Sequence, residues 1–237
     1  MLSVAIAAYA LVFANLAENT TTEIRIDQSV QIVEDFFGTD YPQDFTRNIA
    51  TSRPLFNAMF PAAWDMNETP CYVVGVGVGD AIYLLSPDRW AEEACEHNAS
   101  NIEHVANLIT HEAVHVFHGQ HNPTRDFTGA EGLGWFIEGL AAYASGQYDD
   151  IRREQLAELS SLNNLPTRLD AVWSGPARYA QAGSLVAYID QAYGRTTLLN
   201  LLPATMTENV LTVLGVTETE LILAWTVWLQ DHLESSD

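Results

Sequence analysis

Apolar residues follow two different rhythms along this chain, and one gives way to the other near residue 100. Before that point the elements are short and mixed. EIRIDQSVQIVEDFFG, residues 23–38, carries its apolar positions at helical spacing and predicts an amphipathic helix ending at Gly38. Residues 45–50 suit a strand. CYVVGVGVGDAIYLLSP, residues 71–87, is rich in Val, Ile and Tyr and is broken by Gly79-Asp80, which predicts two strands joined by a turn. Beyond residue 100 the period is helical throughout. Ser100-Asn101-Ile102-Glu103 reads as a capping box that starts a helix at Asn101. Ile102, Val105, Ala106, Ile109, Ala113, Val116 and Phe117 then recur on one face, and Gly119 is placed to end the helix. Further helices are predicted over 134–146, 151–162, 178–193, 196–202 and 218–234. The expected class is α+β. A small N-terminal α/β lobe with a strand hairpin (21–100) packs on a larger all-helical lobe (101–237), with a cleft between them.

Composition adds a globular core and a strong charge bias. Apolar residues make up 48% of the 237, enough to bury a substantial interior. Against 31 acidic residues stand 10 basic ones, all arginine, for a formal charge of −21. Such a surface repels nucleic acid and anionic lipid, so neither is an expected partner. Leu2 to Ala17 is uncharged and apolar, long enough for a signal-peptide core but short of the ~20 residues of a membrane span. It ends in the small residues Ala14 and Ala17 and lacks a basic leader. Residues 1–20 are therefore read as a signal peptide or an N-terminal apolar helix. The first reading implies a secreted or extracytoplasmic protein; membrane association follows only if the segment is retained as an anchor. Cys71 and Cys95, the two cysteines, fit one disulfide in an oxidising compartment or a pair of buried thiols.

The candidate chemistry is concentrated in HEAVHVFHGQH, residues 111–121. His111 and His115, four apart on a helix, stand on one face and can reach a single zinc ion. Glu112 lies beside them as a candidate general base. A catalytic zinc needs three protein ligands and an open position for water, so a third ligand is required. Two candidates compete. His121 extends the motif toward H-E-x-x-H-x-x-G-x-x-H, but His118 occupies the glycine position of that pattern, and Met206 lies in a segment that makes no convincing Met-turn. The other candidate is Glu138, in GWFIEGLAAY, residues 134–143.

That segment resembles the second ligand helix of the gluzincin metallopeptidases of the Peptidase MA clan, W-x-x-E-G-x-A-x-Y or a close relative. Trp135, Glu138, Gly139, Ala141 and Tyr143 fall in register. The resemblance implies a zincin-like fold, a zinc cofactor held by His111, His115 and Glu138, and Glu112 as general base. It also implies a peptide or protein substrate, and close helix approach through Gly139 and Ala141. RYAQAGSLVAYIDQAYG, residues 178–194, looks like the family helix whose tyrosine donates to the tetrahedral oxyanion; Tyr179 falls near that position, with its glycine at Gly183, one residue later than in aminopeptidase-N-like relatives. Those relatives also carry G-x-M-E-N before the zinc helix, for which this chain has no counterpart. Aminopeptidase specificity is therefore not implied, although the hairpin edge could pair with an extended peptide.

A rival expectation keeps the fold and the zinc but no turnover: a zinc-stabilised binding or scaffold module, closed by a fourth ligand from His118 or His121. The remaining candidates have quieter readings. His104 is expected as a partly buried histidine able to line the cleft. His118 is expected at the helix end, complementing its dipole. Glu131 suits a carboxylate orienting a ligand histidine, or a plain loop residue.

Overall fold

In the computed structural model, which describes residues 21–64, 66–130 and 132–234, the first helix, α1, spans residues 21–37. Its apolar stripe is divided: Ile26 enters one core, while Val33 and Phe37 enter another. The chain then forms β1 (Thr46–Ala50), α2 (Arg53–Ala58), β2 (Gly75–Val78), β3 (Ala81–Leu85) and α3 (Trp90–Glu93). β3 is central, parallel to β1 and antiparallel to β2, in the order β1-β3-β2. Ala81, Ile82, Leu84 and Leu85 are all buried, which explains why AIYLL reads as a continuous apolar run and not as an alternation.

The helix α4 (Ile102–His121) separates the two cores. Val105, Leu108, Ile109 and Val116 pack with Ile82, Leu84 and Trp90 on the sheet side. Ala113, Val114 and Phe117 pack with Leu133, Phe136 and Leu185 on the other. A helix buried on two sides has to be apolar nearly all round, and α4 is buried from Leu108 through Gly119. Its start falls one residue later than expected: Asn101, not Ser100, caps it, accepting from the His104 N–H at 3.0 Å, because the Asn101 side chain reaches that free N–H. Its end is not. Gly119 does not terminate α4, which runs on to His121 and stops at Asn122, whose side-chain amide donates to the carbonyls of Leu202 and Ala204. Gly119 has another role, because a Cβ there would lie 2.5 Å from the Gly79 nitrogen and 2.4 Å from the Arg125 carbonyl oxygen.

The rest is helical: α5 (Gly134–Ala144), α6 (Asp150–Ser161), α7 (Leu169–Val172), α8 (Arg178–Tyr193), α9 (Arg195–Leu201), α10 (Thr207–Leu214) and α11 (Glu218–Glu234). Five of these match predicted helices to within two residues at each end. α10 occupies the segment after Met206, over which no helix is predicted; Val210 and Leu214 turn into the core, and Gly215 closes the helix in the left-handed conformation at φ 70°. α5 packs principally on α8. The two run so close that a Cβ at Gly139 would lie 2.5 Å from the Ala182 carbonyl oxygen. Gly139 thus serves the approach of α5 to α8, not the expected approach to α4. Cys71 and Cys95 form a disulfide. Among the described residues no single helix is long and apolar enough to cross a membrane. The apolar segment read as a signal peptide and the candidate residue Glu131 lie outside the described residues.

Candidate metal centre

Glycine at every second position of a strand places all of them on one face, and V-G-V-G-V-G, residues 74–79, with glycines at 75, 77 and 79, uses that face against α4. A Cβ at Gly75 would lie 2.7 Å from Glu112 Cγ, and one at Gly77 2.1 Å from the Glu112 carbonyl oxygen and 3.0 Å from His115 Cβ. One at Gly79 would lie 2.8 Å from the Gly119 carbonyl carbon. No other residue type lets β2 lie this close to α4. The close approach buries Glu112 between them, where the Gly77 N–H donates to its carboxylate.

On the adjoining face of α4, His111 and His115 point their Nε2 atoms together at 3.0 Å. α5 brings Glu138 to the same point, its Oε2 standing 3.3 Å from His111 Nε2 and 3.6 Å from His115 Nε2. Both imidazoles are buried, and Glu138 is 27% exposed. Donors held at ~2.0–2.2 Å in a tetrahedral array lie roughly 3.3 Å from one another, and the three separations bracket that value. One carboxylate and two imidazoles converging at this spacing can hold a divalent metal ion. The Nδ1 atoms of both histidines are buried without a hydrogen-bond partner among the described residues.

The charges in the cluster tune one another. Burial pushes the Glu138 carboxyl up, but the His115 and His111 imidazoles outweigh it and hold it well below the usual carboxylate range. Burial pulls His115 down, and the carboxylates of Glu138 and Glu112 outweigh it, so its pKa stands above the ordinary histidine value. For Glu112 burial dominates and raises the pKa, against the lowering effect of His111 and His115.

A cavity of about 410 Å³ opens over the cluster. Residues 72–78 form one wall, and Tyr179 at the start of α8 lies opposite, its ring 6.1 Å from that of His111 and edge-on to Trp173 at 4.8 Å. Burial and the Glu138 carboxylate raise the Tyr179 pKa to about 12, so its hydroxyl keeps its proton. β2 is an edge strand. The Leu85 N–H donates to the Val74 carbonyl at 2.9 Å, so by the alternation of antiparallel ladders the bonded pairs continue at Val76–Tyr83 and Val78–Ala81. The backbone groups of Gly75 and Gly77 therefore face outward along the cavity wall.

The structure brings together His111, Glu112, His115, Glu138 and Tyr179. It leaves out the other two histidines of the motif. His121 lies on the last turn of α4, where its Nδ1 donates to the Phe117 carbonyl at 2.8 Å and its ring packs on Phe117. His118 is fully buried, with Nε2 3.1 Å from the Leu202 carbonyl oxygen. Burial and the nearby His115 lower its pKa to about 3, so it is neutral and does not complement the helix dipole as expected. His104 lines the cavity, its Nε2 3.1 Å from His97 Nδ1, while His97 Nε2 donates to the Tyr72 carbonyl at 2.8 Å. Sequence reasoning missed the strand glycines, whose period of two was the available signal. It also missed Arg152 and Arg178, which line the cavity with no motif to mark them.

No family model, curated protein or solved structure matches the chain.

Proposed function

We propose that the protein is a zinc-dependent metallopeptidase of the gluzincin type, with a zincin-like fold, acting on peptide or protein substrates. The observation that carries this reading is the convergence of His111, His115 and Glu138 on one point, with Glu112 buried beside them against an outward-facing edge strand. His111, His115 and Glu138 would hold the ion. Two imidazoles and a carboxylate are the donor set of known catalytic zinc sites, and zinc so held supplies Lewis acidity and a water with a pKa near ~7.

This chain's own residues do the rest. An extended substrate pairs with the free backbone groups of Gly75 and with the Gly77 carbonyl, which lays its scissile carbonyl across the cluster. Glu112 accepts the proton of the attacking water and passes it to the leaving amine. Its raised pKa, set by burial, suits a group that must carry that proton between the two. Tyr179, protonated at neutral pH, donates to the oxygen that gains charge in the transition state.

A purely structural zinc is normally closed by four protein ligands. The side chains offered for a fourth, His118 and His121, are engaged by the carbonyls of Leu202 and Phe117, which favours an open position and hence the catalytic reading. The disulfide between Cys71 and Cys95 supports an extracytoplasmic location. The test is hydrolysis of an unfolded protein by the metal-loaded chain, with and without a chelator. Activity should vanish on chelation and return with zinc. Glu112→Gln should keep about one zinc per chain and lose at least ~100-fold in turnover. Unchanged turnover in that variant would contradict the mechanism.

A further inference from the structure

In a chain with 31 acidic and 10 basic residues, an arginine without a carboxylate partner is out of place. Arg47, Arg89, Arg125, Arg153, Arg168 and Arg195 all sit in ion pairs. Arg53 spends its guanidinium on the carbonyls of Cys71, Val73 and Glu93. Arg25, on α1, has no ion pair among the described residues either, and its Nη1 is buried without a hydrogen-bond partner among them, but it does not line the cavity. Arg152 and Arg178 differ in position. Among the described residues neither has a carboxylate within ion-pair distance, and both line the cavity over the His-His-Glu cluster. Both guanidiniums stand over the ring of Tyr179, at 5.5 and 5.2 Å from its centroid. Arg152 Nε is buried and has no hydrogen-bond partner among the described residues. Of the neighbouring acids, Asp150 pairs with Arg153, and Asp149, whose charge reaches Arg152 without an ion-pair contact, accepts the Arg152 backbone N–H at 3.0 Å to cap α6.

Placing two cations here has a cost, because each is partly removed from water and neither faces a carboxylate at ion-pair distance. Among the described residues Arg178 bonds only the Tyr179 hydroxyl and stands over the Trp173 and Tyr179 rings. The cost is recovered when an anion arrives. Arginine presents a planar fork that matches a carboxylate, and desolvation within the cavity strengthens the pairing. The position fixes what that anion belongs to. Tyr179 separates the guanidiniums from His111 by one ring, so the carboxylate sits within a residue or two of the bond being cut.

We infer that Arg152 and Arg178 bind a carboxylate of the substrate, so that the site selects peptides that present an acidic side chain or a free C-terminus beside the scissile bond. This rests on the metallopeptidase reading and narrows it. The chain's net negative charge disfavours acidic peptides at long range, so the preference must come from these two side chains at contact.

The test uses a set of peptides identical except for Glu or Gln at one position, scanned along the sequence, and for a free or amidated C-terminus. Affinity is measured calorimetrically on zinc-loaded Glu112→Gln, and kcat/KM on the wild type. One carboxylate-bearing peptide should bind ~10–100-fold more tightly than its neutral isostere, the range for charge-assisted hydrogen bonds. A preference that follows Glu over Gln assigns the side chain; one that follows acid over amide assigns the C-terminus. In Arg178→Gln, made in the same background, the ratio should fall toward one, and likewise in Arg152→Gln. Arg178 decides the matter should the more buried Arg152 variant fail to fold. Ratios of one in the parent, or ratios that survive in Arg178→Gln, overturn the inference. Hydrolysis without preference overturns the inference alone. Carboxylate-selective binding with no hydrolysis by the wild type overturns the metallopeptidase reading and leaves the arginine assignment standing.

Discussion

His118 lies about one turn beyond His115 and two beyond His111 on the same helix, yet its environment gives it the opposite chemistry. It faces the helical core, bonds to the Leu202 carbonyl and stays neutral down to about pH 3. The unfolded imidazole takes up a proton near its ordinary value, so between that value and about 3 unfolding binds a proton. Stability therefore falls as pH drops through that window, by up to ~1.4 kcal/mol per unit. Chemical denaturation of wild type and His118→Gln at several pH values should show a slope shallower by about that amount in the variant; equal slopes would contradict the assignment. Tyr179 makes a second case. If its hydroxyl meets only the developing oxyanion, Tyr179→Phe should lower kcat ~100-fold with KM little changed, because interactions made solely in the transition state appear in the rate. A wild-type kcat would leave Tyr179 a packing residue between Trp173 and His111. At this scale the histidine pair was legible because four residues make one helical turn. Glu138 was legible only through resemblance. The burial of His118 was not legible, because nothing local distinguishes a histidine facing the core from one at a helix end.

The contact between β2 and α4 is made by glycine backbones. Gly77→Ala would drive a methyl group to 2.1 Å from the Glu112 carbonyl oxygen, and only a shift of the whole strand relieves it. Such overpacking costs about 3 kcal/mol and moves Glu112 and His115 with it. Gly132→Ala, with nothing within 4 Å of the added Cβ, should stay within about 0.5 kcal/mol of wild type. Denaturant melts of the two compare them directly, and equal losses would refute the close-approach account. The hairpin, the start of α4 to within one residue and five later helices were legible from period and turn chemistry. α10 was not, because eight residues make barely two turns, too short for their period to separate a helix from a loop. The end of α4 was misjudged because a glycine can stop a helix or admit a neighbour, and only the fold decides which. In this fold Gly79 occupies the space beside Gly119.

At the scale of the molecule, the disulfide and Arg53 hold the cavity wall to the segment before α4. Cys71–Cys95 closes a loop with a sequence separation of 24 that contains β2 and β3. Arg53 ties the same segment through the carbonyls of Cys71, Val73 and Glu93. By loop-closure entropy the disulfide contributes about 3 kcal/mol, and its reduction should lower Tm by ~6–12 °C in a chain of this size. No change on reduction would mean the wall is held by other contacts. The α+β class was legible from the switch of period near residue 100. The placement of α4 between two cores was not, since its apolar face alone does not say that both sides are covered. The central claim is that Glu138, and not His121, completes the metal site. It is tested most directly by zinc stoichiometry in Glu138→Ala and His121→Ala after equilibration with the metal. The account predicts a steep loss of zinc in Glu138→Ala and about one ion per chain in His121→Ala, as in wild type. Retention of zinc by Glu138→Ala with its loss from His121→Ala would contradict it.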